Sequence, residues 1–277
     1  MIVATGLAFG EGPRWHDGAL WWSDMHGGEV SRLANGEIKK VCDVPGRPSG
    51  LGWLPDGRML VVSMTDRRLL RLEPDGALVA HADLSALAPR RCNDLTVDRL
   101  GRAYVGNFGF ELDGAEEPRP TVLIKVDPDG SASVVADDLL FPNGAVITED
   151  ARTLIIAETW GARLTAFDIE EDGGLSNRRV WAQFDDGSVP DGICLDAEGA
   201  IWIASPTTKR CLRVSEGGEI VDRVETGRGA FACVLGDDDR RTLYVCTADS
   251  HNPERQRRER NGRIEAFRVN TPGAAPP

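Results

Sequence analysis

Four oxygen-bearing side chains open four copies of one short phrase in this chain. They are Glu11 of Glu-Gly-Pro, Asn93 of Asn-Asp-Leu, Asn143 of Asn-Gly-Ala and Asp191 of Asp-Gly-Ile. Two more copies begin with Ser49 and Phe231, and the six first residues lie 38, 44, 50, 48 and 40 positions apart. Two carboxylates and two amide oxygens make an all-oxygen donor set. Such a set selects a hard or borderline divalent cation: Ca²⁺, Mg²⁺, Mn²⁺ or Fe²⁺, with Zn²⁺ admissible. Calcium is the first expectation. No His or Cys occupies a first slot, which disfavours a thiolate or imidazole zinc site. Taken singly, Pro-Asn-Gly and Pro-Asp-Gly are ordinary turn sequences. The shared register is what turns four such residues into a constellation.

Something must bring residues so distant together. Seven or eight residues after most of the phrases comes a turn, and after the turn a strand. The turns include Asp17-Gly18, Asp56-Gly57, Gly101 and Gly199; the strands read ALWWS, RMLVVS, RAYVG, TLIIAE, AIWIAS and TLYVC. A period of roughly 40 to 50 residues with several short strands per repeat predicts an all-β six-bladed β-propeller. Its innermost strands line one channel, so Glu11, Asn93, Asn143 and Asp191 converge on the axis and form a metal site there. Asn35-Gly36 marks a hairpin in the first blade. The third blade carries a long insert, ELDGAEEPRP, between its second and third strands. The last blade lacks an outermost strand of its own. The Pro- and Gly-rich tail cannot supply one, so Met1 to Gly6 is expected to pair beside Arg263 to Val269 and close the ring.

The bulk composition narrows the partners. A chain of 277 residues suits one large all-β domain, residues 1–277, with a repeat that runs on without a linker. A formal net charge of −12 argues against nucleic acid and against an anionic membrane surface. The basic run Arg255 to Arg260 reads as a solvated hairpin loop. No signal peptide or membrane span is visible. The six cysteines form no CxxC pair and read as reduced thiols, with the cytoplasm as the expected location. Of the four histidines, only His251 is placed to reach a channel mouth.

The stretches GEGPRW, RCNDLTVDRLGRAYVGN, FPNGAVITED and VPDGICLDAEGAIWIAS give the chain a resemblance to a known family. It resembles the senescence-marker protein (regucalcin), gluconolactonase and luciferin-regenerating enzyme family of six-bladed propellers, over essentially its whole length. The resemblance implies that Glu11, Asn143 and Asp191 bind one divalent metal. Asn93 would be a ligand or a substrate contact beside it, and Arg91 a substrate contact. The segment NFGFELDGAEEPRP departs from the sugar-lactonase pattern, at a channel mouth where loops choose the substrate.

The implied activity is hydrolysis of a sugar lactone or related small lactone. A metal with open positions polarises the carbonyl and acidifies a bound water, Asp191 acts as ligand and general base, and Arg91 orients the substrate or stabilises developing charge. Asp94, Glu111 and His251 are the fallback bases. Other classes fit the same repeat. These are a phosphotriesterase-like hydrolase on the same metal, a non-catalytic calcium-binding propeller, and a strictosidine-synthase-like propeller that relies on a catalytic Glu. The oligomeric state is not legible.

Overall fold

The computed structural model describes residues 1–112, 114 and 116–275. Asp113 and Ala115 of the blade-three insert, and Pro276 and Pro277 of the tail, lie outside the described residues. The chain starts with β1 (Ile2–Leu7). Blade one is then β2 (Gly10–His16), β3 (Ala19–Asp24), β4 (Glu29–Ala34) and β5 (Glu37–Asp43). Blade two is β6 (Pro48–Trp53), β7 (Met59–Ser63), β8 (Arg68–Leu72) and β9 (Leu78–Asp83). Blade three is β10 (Cys92–Val97), β11 (Ala103–Asn107), β12 (Thr121–Val126) and β13 (Ala132–Leu139). Blade four is β14 (Pro142–Ile147), β15 (Thr153–Glu158), β16 (Arg163–Ile169) and β17 (Leu175–Gln183). Blade five is β18 (Ile193–Leu195), β19 (Ile201–Ser205), β20 (Arg210–Val214) and β21 (Ile220–Glu225). Blade six holds β22 (Gly229–Gly236), β23 (Thr242–Ala248) and, after α1 (Pro253–Glu259), β24 (Gly262–Arg268).

These strands form six four-stranded antiparallel sheets, the six-bladed propeller that the repeat predicts. The sixth sheet has the order β1-β24-β23-β22, so the N-terminal strand completes the last blade. Ala4 pairs with Ile264 and Leu7 with Gly262, which closes the ring as expected. The Asn35-Gly36 hairpin also has its expected geometry, with both residues at positive φ, 52° and 76°. Among its described residues the tail contributes no strand and makes one isolated bridge, Gly273 to Asp196. No described helix is long and apolar enough to cross a membrane. All six cysteines are free, and five of them are buried.

Each inner strand packs against the next around the ring: β2 on β6, β6 on β10, β10 on β14, β14 on β18, β18 on β22 and β22 on β2. The backbones come very close here. A Cβ at Gly50 would stand 2.4 Å from the Leu95 amide nitrogen, and one at Gly144 would stand 2.6 Å from that of Ile193. The glycine after the slot residue is therefore a steric requirement of neighbouring blades. Hydrogen bonds stitch the same seam: Gly144 N–H donates to the Asp191 carbonyl (3.2 Å) and Gly192 N–H to that of Phe231 (2.8 Å).

One expectation fails. The basic run is no hairpin loop, because Pro253–Glu259 forms α1. Asn252 caps it by accepting from Arg255 N–H, and Pro253 takes the first turn, where its missing N–H costs nothing. The helix is tied down by buried Gln256, and Arg257 donates to the His26 carbonyl (3.3 Å).

The glycine seam gives a direct test. Gly144→Ala should destabilise the fold by about 1–3 kcal/mol through overpacking, measured by urea unfolding. An unchanged midpoint would mean that the inner strands do not meet as described.

Candidate metal and catalytic site in the channel

Glu11, Ser49, Asn93 and Asn143 are each the second residue of an inner strand. Asp191 departs from this register and lies two residues ahead of β18, on irregular backbone. Glu11, Asn93, Asn143 and Asp191 nonetheless line one cavity of about 510 Å³, and Arg91 lines it with them. All four donors are buried, at 5 to 8% relative exposure. Asn143 Nδ2 donates to Asp191 Oδ1 (2.5 Å) and to Thr159 Oγ1 (3.1 Å). Asn93 Oδ1 accepts from Ser49 Oγ at 3.3 Å. Gly12 N–H donates to Glu11 Oε2 at 3.1 Å.

The strands that carry these donors are positioned by carboxylates at the ends of their neighbours. Asp24, the last residue of β3, accepts from Ala8 N–H (3.0 Å) and Phe9 N–H (2.8 Å), just ahead of Glu11. Glu158, the last residue of β15, accepts from Leu140 N–H (2.7 Å), just ahead of Asn143. Both are buried and paired with arginine: Asp24 with Arg260 and Glu158 with Arg163. The sequence signal was present as the acid that ends ALWWSD and TLIIAE.

The electrostatics are unfavourable for the bare chain. Burial pushes the Asp191 carboxyl up to about 8, with the Asp94 charge adding to the shift and the Asn143 amide opposing it. Burial also raises Glu11 well above its ordinary value, reinforced by Asp191 and then Asp94; Gly12 N–H and Arg14 only partly offset this. Asp94 itself is turned away. Its carboxylate accepts from Arg14 Nη2 (2.8 Å) and Leu95 N–H (2.8 Å), and it is not among the residues lining the cavity. This removes Asp94 from the fallback bases. Glu111 is spoken for as well, in an ion pair with Arg91 at 2.6 Å.

Among the described residues, no three Asp, Glu, His or Cys side chains gather as a cation nest. The axis offers two carboxylates, and any cation there needs the amide oxygens as further ligands. The donor set fits that role. Two carboxylates are buried there, Arg14 offsets only part of the rise at Glu11, and a divalent cation would relieve both burial and repulsion.

Two features of the mouth escape sequence reading. His26 reaches the mouth along with His251: both line the cavity, His26 stacks on Phe9 with ring centres 5.1 Å apart, and its Nε2 lies 3.2 Å from the His251 carbonyl. The expectation that only His251 could reach the mouth is thus corrected. The other feature is an aromatic wall that includes Phe108, Phe141 and Trp160. Blade loops bring these rings together, and no periodicity marks them.

The family model described as SMP-30/Gluconolactonase/LRE-like region matches residues 9–249. The chain belongs to this family. A 6-deoxy-6-sulfogluconolactonase of Pseudomonas putida is 27% identical over 288 residues, covering 100% of this chain and 96% of that protein. A regucalcin of Danio rerio is 28% identical over 262 residues, covering 89% and 85%. The crystal structure of a calcium-binding protein, regucalcin, from Agrobacterium tumefaciens superposes with a TM-score of 0.83 at 23% identity, covering 99% of this chain and 96% of that one. That last likeness carries the fold. The family membership agrees with the resemblance read from the four sequence stretches.

The charge pair sets a pH test. A carboxyl whose folded pKa is raised weakens the fold as pH climbs from the unfolded value, near 3.9, to the folded one, and the full cost stands above it. In chelator at pH 9, Asp191→Asn should therefore melt above the wild type by several degrees. Near pH 3.5 the two should coincide. A wild type that melts higher at pH 9 in chelator would contradict the burial and repulsion described.

Proposed function

We propose that this propeller hydrolyses a small lactone at the axial site, with one divalent cation held by Glu11, Asn143 and Asp191. Asn93 serves as fourth ligand or stands just outside the ligand shell, and calcium is the first candidate ion. The observation that carries this reading is the pair of buried, mutually repelling carboxylates facing one cavity beside two amides. Membership of a family that includes gluconolactonases supports the reaction. So does a full-length relative named as a sulfogluconolactonase. The Agrobacterium regucalcin, described as calcium-binding, supports the ion.

When bound, the cation supplies Lewis-acid polarisation of a carbonyl and a lower pKa for an attacking water. The chain's residues do the rest. Asp191 takes the proton as the water oxygen adds to the lactone carbonyl carbon. It then returns that proton to the ring oxygen as the carbon–oxygen bond opens, which yields the hydroxy acid. Asn143 fixes the Asp191 carboxylate through its amide N–H. Arg91 and Asn93 donate to substrate oxygens, and Glu111 sets the direction of the Arg91 guanidinium through their ion pair. With the cation bound, Glu11 would be held ionised and would supply charge on the axis. The surrounding apolar walls exclude bulk water, which strengthens each of these interactions. Six free thiols suit a reducing compartment such as the cytoplasm.

Three outcomes are expected. Chelation should abolish lactone hydrolysis and added divalent ion should restore it; full turnover in chelator would exclude the reading. Asp191→Asn keeps an oxygen on the axis but accepts no proton near neutrality, so kcat should fall by about 100-fold or more. Its cation affinity, read by calorimetric titration, should fall far less. Arg91→Ala should act mainly on KM or kcat/KM and leave the ion bound. Retained turnover in Asp191→Asn would place the base elsewhere, with His251 next to be tested.

A further inference from the structure

We propose that the lactone taken by this site has an apolar body, aromatic or alkyl, and not a polyhydroxylated one. This rests on the lactonase reading and names its substrate class. Above the axial donors, the cavity of about 510 Å³ is walled by Phe9, Met64, Phe108, Phe141, Trp160 and Phe231. The rings are locked against one another. Phe9 meets Phe231 edge-on with centres 4.7 Å apart, and Phe108 stacks on Phe141 at 4.6 Å and 12°. Phe110, behind them, packs on both Phe141 and Trp160.

The backbone is bent to serve this wall. Phe141 sits at φ 61°, a left-handed conformation that a bulky residue adopts only under constraint. It lies two residues before Asn143, and it lines the same cavity as the four axial donors. Trp160 is 52% exposed at the same wall. A ring so far in solvent adds little to the core, but it offers a flat apolar face to whatever enters.

The buried polar side is thin. Among the described lining residues, the buried polar groups are the four axial donors; Thr159, Arg91, Arg47, His26 and Ser250 are half-buried, and Thr207 and His251 are exposed. The Thr159 hydroxyl is committed: it donates to the Pro190 carbonyl (2.8 Å) and accepts from Asn143. Arg91 is paired with Glu111. Lys209 and Asp249 are exposed. A polyhydroxylated lactone seated on the axis would press hydroxyls against aromatic rings, and each one beyond the reach of Arg91, Arg47 and the axial amides loses water and finds no partner. An apolar ring gains the same surface instead.

The test is a matched lactone panel with one cation throughout: dihydrocoumarin and δ-decanolactone against D-glucono-1,5-lactone and L-arabinono-1,4-lactone. Each kcat/KM is divided by that lactone's spontaneous hydrolysis rate. The apolar pair should lead by at least about tenfold, and Trp160→Ala should raise KM for dihydrocoumarin about fivefold with kcat held within about twofold. Trp160 is exposed, so its loss should spare the fold, which circular dichroism would check. A lead for the sugar lactones, or a Trp160→Ala enzyme with unchanged KM for dihydrocoumarin, overturns the inference and leaves the lactonase reading intact. Turnover of neither class overturns the lactonase reading and the inference with it.

Discussion

Six inner strands meeting around one axis must touch through their backbones, and this close approach governs the rest of the molecule. The seam leaves no room for a side chain at Gly50 or Gly144. The residues just before Gly12, Gly144 and Gly192, namely Glu11, Asn143 and Asp191, line the cavity. Structural glycine and functional donor are thus adjacent for linked reasons. The inter-blade hydrogen bonds from Gly144 and Gly192 set the height at which Asn143 and Asp191 meet. The acids at the ends of β3 and β15 hold the approaching chain in place.

Such convergence carries a cost that the protein alone does not offset. Glu11 and Asp191 are raised first by burial; Asp191 adds to the rise at Glu11, and Asp94, paired with Arg14, adds to it at both. A fold that needed only a packed channel would be more stable with apolar residues there. Buried, strongly shifted carboxylates in a cavity mark a candidate functional site, and aromatic rings line the same cavity. Charge at the floor and apolarity at the walls are the two halves of one chemical environment.

Much of this was legible in the sequence, and the reasons differ by element. The repeat fixed blade number because each strand phrase recurs with its turn, and the missing outer strand of the last blade pointed to β1. The convergence of Glu11, Asn93, Asn143 and Asp191 on one cavity was legible because register converts spacing along the chain into proximity in space. What stayed hidden depends on loops. α1 was missed because a run of arginines looks like solvated surface, while its Asn252 cap and Pro253 were the overlooked helix signals. His26 was passed over because a hairpin residue can lean into a channel mouth when its ring stacks on Phe9. Phe108, Phe141 and Trp160 come from three separate connections, so no period betrays their meeting. Asp94 stood in the sequence as a fallback base, yet the side of the strand that it faces delivers it to Arg14.

The central claim is that the axial oxygens hold a divalent cation. Crystals grown with Mn²⁺ and measured at its absorption edge would test it most directly. The account expects one strong anomalous peak on the channel axis, within about 2.6 Å of oxygens from Glu11, Asn143 and Asp191. A well-ordered channel with no peak, or a peak held by other side chains, would contradict it.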